Sequence, residues 1–185
     1  MYADDLILLS ISLLHLQLLV NLCQLEFHKL GLEINHSKSM CMRIGDRHKI
    51  TPCNIKVNGV DIAWTNEVNY LGIQLLTGKS FNFNFQILRQ KFFRAVNCIF
   101  GRIGINKSES VLCSLLNSYC VPMLLFASEA LHWSNKNLNR LEKAYNQAFY
   151  TIFKTNDGNA INYCKYYMNC LPLEYVVVLR KVGFF

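Results

Sequence analysis

Residues 1–10 read MYADDLILLS, and this stretch decides how the rest of the chain is read. Two adjacent carboxylates, Asp4 and Asp5, sit between a tyrosine and a run of leucine and isoleucine. Neighbouring side chains on a regular strand point to opposite faces, so two aspartates act together only at a tight turn. The LILL that follows is short, branched and continuous, which predicts a buried strand.

Outward from this stretch, Leu14, Leu18, Leu22 and Leu25, widened by Leu13, Leu16 and Val20, form a helical stripe ending near Gly31. LEINHSKSMCMRI alternates, with Ile34, Met40, Met42 and Ile44 as apolar steps, and predicts strand material broken by a polar turn at His36 to Lys38. IKVNGVDI carries Asn58-Gly59 between apolar runs, a hairpin signal, and NYLGIQLL reads as another short strand. From about residue 80 the period becomes helical. Phe85, Leu88, Phe92, Val96 and Ile99 share one face, with Arg89, Lys91 and Arg94 mostly elsewhere. A second helix starts at Ser108 and runs to a bend at Pro122, with Val111, Leu112, Leu115, Leu116 and Tyr119 inward. A third carries Leu138, Leu141, Tyr145, Ala148 and Ile152 and stops before Asn156. The expectation is an α+β chain: a mixed part over 1–78 and an all-helical part over 79–185.

Over 185 residues the chain is 52% hydrophobic and 17% charged, which excludes a disordered tail. Its net charge of +7 favours polyanionic partners. The eight cysteines show no C-x-x-C pair and no histidines at zinc-ligand spacing, and read as reduced thiols of a reducing, intracellular compartment. Leu6 to Leu25 is uncharged, but Ser10, Ser12, His15, Gln17, Asn21 and Gln24 interrupt it, so no membrane segment is expected. The histidines form no spaced cluster, and Trp64 and Trp133 read as packing residues.

Five segments stand in a telling order: YADDLILLS, KLGLEINHSKSMCM, NYLGIQL, KFFRAVNCIFGR and LLFASEALHW. In that order the chain resembles non-LTR (LINE-type) retrotransposon reverse transcriptases over nearly its whole length. The resemblance implies part of an antiparallel polymerase palm with its helix, followed by a helical thumb-like region, and RNA-directed DNA polymerase chemistry with two Mg²⁺ ions about 4 Å apart. It makes Asp4 the main metal ligand and Asp5 a supporting one. Tyr2 would pack near the primer terminus or incoming nucleotide, and Lys38 would neutralise or protonate the leaving pyrophosphate. Tyr70, Leu71 and Gly72 would grip the primer, Gly72 allowing a close backbone turn. Lys79, Arg89, Lys91, Arg94, Arg102 and Lys107, with no acid between Glu67 and Glu109, would track the phosphates of an RNA/DNA template-primer duplex.

One expectation follows from a departure. The family carries a further metal-bridging aspartate and the fingers upstream of YADD, and residue 1 falls inside the first hairpin strand. The fragment is therefore expected to be inactive alone and to depend on the missing N-terminal part of the polymerase. The competing reading is a non-catalytic nucleic-acid-binding module that uses the basic helices.

Overall fold

The computed structural model describes residues 4–50, 52–104 and 108–184. They form a mixed α+β chain with helices and two small antiparallel sheets, divided into two compact units between Phe83 and Asn84. The division falls five residues beyond the expected one at 78, because Asn82 and Phe83 pair with a strand of the first unit.

In the first unit, helix α1 (Leu13–Lys29) is followed by the hairpin β1 (Lys56–Val57) and β2 (Val60–Asp61), then by β3 (Glu67–Tyr70), β4 (Ile73–Leu76) and β5 (Asn82–Phe83) in the order β3-β4-β5. The β1-β2 turn is the expected Asn58-Gly59. Both residues have positive φ, 51° and 78°, the type I′ geometry whose twist suits a two-residue hairpin. NYLGIQLL is not one strand. It turns at Leu71-Gly72, again with both φ positive (47° and 81°), and Tyr70 pairs with Ile73 across the turn. Ile73, Leu75 and Phe83 supply the buried face of this sheet.

The core of this unit joins Val20 to Cys41, Ile55, Val57 and Ile62, with Leu8, Leu13, Leu16, Ile34 and Trp64 packed around it. Three expectations are corrected here. Residues 6–9 form no strand, and Leu6, Ile7 and Leu9 are exposed, since no ladder partner pairs with them among the described residues. Helix α1 forms as expected but turns its other face inward: Val20, Leu13 and Leu16 pack, whereas Leu14, Leu18, Leu22 and Leu25 face solvent. The reason lies in the polar side chains beside Val20. Gln17 donates to the Lys56 carbonyl (2.9 Å) and accepts from the Lys56 N–H (2.8 Å), and Gln24 donates to Asn58 Oδ1, so hydrogen bonding to the hairpin fixes the helix rotation. Residues 32–44 make isolated parallel bridges, Cys41 to Trp64 and Ile44 to Gly78, in place of a ladder. Cys41 is buried there while Met40 and Ile44 are exposed, a phase one residue away from the expected steps.

The second unit is helical among its described residues: α2 (Phe85–Ile103), α3 (Glu109–Leu115), a π-helical turn at Leu116–Cys120, α4 (Val121–Leu124), α5 (Asn135–Phe153), α6 (Gly158–Tyr167) and α7 (Leu173–Phe184). Helix α2 buries Phe85, Leu88, Phe92 and Val96, the expected stripe, and Asn84 caps it by accepting from the Gln86 N–H (3.1 Å). Helix α5 buries Leu141, Tyr145, Ala148 and Ile152 as expected and ends at Phe153. Pro122 does not end the second helical segment. The chain widens before it, with Val121 N–H bonded to the Leu116 carbonyl five residues back, and continues as α4. Leu112, Leu116 and Cys120 are buried, while Val111, on α3 ahead of the wider turn, and Tyr119, within it, both expected inside, are exposed.

Candidate functional site

Asp4 lies in a turn and Asp5 in a β-bridge position; both side chains are exposed. Tyr2 lies outside the described residues. Lys38 belongs to a polar turn organised by Asn35, whose Oδ1 accepts from the N–H groups of Ser37 (3.0 Å) and Lys38 (3.2 Å), while the Asn35 carbonyl accepts from Ser39 Oγ (2.8 Å). This self-contained Asx turn leaves the Lys38 side chain in solvent. Half-buried Tyr70 and exposed Leu71 and Gly72 form the β3-β4 hairpin tip. Among the described residues, no hydrogen bond or ion pair joins Asp4 or Asp5 to Lys38.

Two divalent ions bring four positive charges and require oxygen ligands from several directions. Adjacent Asp4 and Asp5 offer two carboxylates, and no group of three or more His, Cys, Asp or Glu side chains fit to hold a metal ion occurs among the described residues. The residues present therefore do not fit a pair of Mg²⁺ ions by themselves.

The cations separate more sharply. Lys79 belongs to the first unit and Lys107 lies outside the described residues. On α2, Arg89 and Arg94 line an open depression of about 880 Å³ with Gln86, Gln90, Phe93, Asn97 and Cys98, and the Arg89 guanidinium lies 5.3 Å from the Phe93 ring centre. At 100° per residue Arg94 falls on the helix face opposite the buried stripe and Arg89 at the stripe's edge, about 140° away from Arg94, whereas Lys91 and Arg102 sit together on the other flank, three turns apart. All four are exposed. The arrangement offers two guanidinium forks flanked by amides that donate and accept, and forks of this kind bind phosphate oxygens bidentately.

A buried polar network went unforeseen. Lys165, only 4% exposed, donates to Glu142 Oε1 (2.5 Å) and to Asn146 Oδ1, and its ammonium lies 4.6 Å from the Tyr145 ring centre and 5.5 Å from that of Phe149. Glu142 Oε2 accepts from the Leu173 N–H (2.9 Å), so one carboxylate ties α5 to α6 and α7. Tyr145 donates to Asn117 Oδ1 (2.8 Å), and Asn117 donates to Cys170 Sγ (3.0 Å). The signal was present in α6: Lys165 stands four residues after Ile161 and shares its inward face. Every bond in the network is internal, so it staples helices together.

The cysteines are free thiols, and Cys41, Cys113, Cys120 and Cys170 are buried. Burial pushes the Cys113 thiol up to about 12, with Cys170, Cys164 and Glu109 adding to the effect, and pushes Cys120 up to about 11. These are inert packing groups. No helix among the described residues is long and apolar enough to cross a membrane. No family model, curated protein or solved structure matches the chain.

Proposed function

We propose that the chain carries palm and thumb segments of an RNA-directed DNA polymerase of the non-LTR retrotransposon kind, and that these residues do not transfer nucleotides by themselves. The observation that carries the reading is the ordered series of five segments from YADDLILLS to LLFASEALHW. A tight hairpin at Tyr70 to Ile73, a polar turn bearing Lys38 and a basic helix with Arg89 and Arg94 support it. Bound Mg²⁺ would supply charge neutralisation to phosphoryl transfer, and Asp4 and Asp5 would need a further acid to hold it. The test compares the chain with a longer product that includes the residues encoded immediately upstream in its frame. Magnesium-dependent primer extension by the longer product, abolished by Asp4→Ala, is expected. An upstream frame with no acid-bearing strand, or extension indifferent to Asp4→Ala, overturns the reading.

A second reading, a non-catalytic nucleic-acid-binding module, is favoured by the α2 depression. Each phosphate contact contributes about −0.9 to the slope of log affinity against log salt. Replacing Arg89 and Arg94 by alanine should flatten that slope for a short duplex by about 2. No binding at low salt ends this reading.

A further inference from the structure

The first unit carries no surplus of charge, since residues 1–83 hold seven Lys and Arg against seven Asp and Glu. Its charges are nevertheless segregated. The turn at residues 45–50, with Arg43 before it and Lys79 beside it, gathers four of the seven cations and one acid, Asp46. The turn is held from within: the Gly45 carbonyl accepts from the His48 N–H (3.0 Å) and from His48 Nδ1 (2.9 Å), and the Arg47 carbonyl accepts from the Ile50 N–H (3.1 Å). The Arg43 guanidinium closes it by donating to the Ile50 carbonyl (3.0 Å). It is also anchored to the chain after β4, because the Gly45 N–H donates to the Gly78 carbonyl (2.8 Å) and Thr77 Oγ1 donates to the Arg43 carbonyl, which brings Lys79 to the same edge. Arg47, Lys49 and Lys79 are exposed. Among the described residues, none of Arg43, Arg47, Lys49, Lys79 and Asp46 is ion-paired. A solvated surface intersperses opposite charges, so three unpaired cations fixed on one edge of a neutral unit suit an opposite charge that arrives from outside.

We propose that this edge contacts the sugar-phosphate backbone of a nucleic-acid duplex, separately from the depression on α2. A duplex carries about one negative charge per 1.7 Å of axis, so a few closely set cations meet several phosphates at once. The Arg47 guanidinium matches two phosphate oxygens, and the ammonium groups of Lys49 and Lys79 act as point charges beside it. Such contacts fix position and carry no base preference. An anionic bilayer is the poorer occupant. It selects clusters of about four to eight Lys and Arg or a basic amphipathic helix, and this short turn is neither. The partner class is that of the second reading above, but the contact stands on residues of the other unit.

The experiment titrates the full chain with a short labelled DNA duplex of arbitrary sequence over a range of salt. The side chains of Arg47 and Lys49 make none of the bonds that hold the turn, so they can be replaced without undoing it. Arg47→Gln with Lys49→Gln should flatten the slope of log affinity against log salt by about 2, at about 0.9 per phosphate contact. The exchange Arg47→Lys with Lys49→Arg should keep the native slope. Asp46→Asn should tighten binding, a gain that a misfolded chain does not show. Arg89→Ala with Arg94→Ala is measured alongside: a slope that responds to the turn pair and not to the α2 pair sustains this contact and ends the α2 reading, whereas the opposite result overturns this contact and leaves that reading standing. Absence of duplex binding at low salt, unchanged affinity in Asp46→Asn, or turn variants that lose phosphatidylserine vesicles while keeping the native duplex slope overturns the proposal.

Discussion

Gln17 bonds the backbone of Lys56 in both directions, donating to the carbonyl at 2.9 Å and accepting from the N–H at 2.8 Å, while its amide nitrogen also donates to Asn21 Oδ1 at 2.8 Å. A helix side chain thus stands where a neighbouring strand would, satisfying the outer edge of a two-residue strand. Replacing Gln17 by leucine should lower stability by about 1–2 kcal/mol in urea unfolding, because both Lys56 groups lose their partner. Gln24→Leu should cost less, since its partner is an exposed side chain.

The Lys165–Glu142 pair should behave non-additively. Glu142→Leu strands the buried ammonium and frees the Leu173 N–H, and is expected to cost about 3 kcal/mol. Lys165→Met removes the cation itself and should cost less. The double variant should be more stable than Glu142→Leu alone; a double-mutant cycle in denaturant checks the sign of the coupling.

Alkaline pH should weaken the second unit. A thiol whose folded value lies above its unfolded one stabilises fully below the unfolded value, and that contribution is lost as pH rises through the folded value. With Cys113 raised to about 12 and Cys120 to about 11, each thiol should remove about 1.4 kcal/mol per pH unit once pH exceeds about 9. Unfolding free energies measured across that range should fall less steeply in Cys120→Ala than in the native chain.

The two hairpins of the first unit differ by one residue type at the same turn position. Asn58 and Leu71 both adopt positive φ, but only asparagine tolerates that region well. Leu71→Asn should raise stability by about 0.5–1 kcal/mol, read as a higher midpoint in thermal melting.

What the sequence made legible follows from which forces act locally. Asn58-Gly59 and the α2 stripe were readable because turn chemistry and a 3.6-residue period are local properties. The inward face of α1 was not, because leucines outnumber Val20 on the helix, while the deciding contacts, from Gln17 and Gln24, reach residues 39 and 34 positions away. LILL reads as a strand by composition, yet a strand exists only with a ladder partner. Of the candidate site, the hairpin tip at Leu71-Gly72 and the turn before Lys38 could be located from local signals. Lys165 was hidden because a lysine ordinarily belongs in solvent.

The widened turn at Leu116–Cys120 acts as a gear between the helices on either side of it. It holds one residue more than a regular turn, so everything after it is rotated by about a hundred degrees relative to an unbroken helix. Deleting a single residue there would restore regular spacing and at the same time swing Asn117 away from Tyr145 or carry Cys120 out of the core. The backbone would become more regular while the packing it serves came out of alignment.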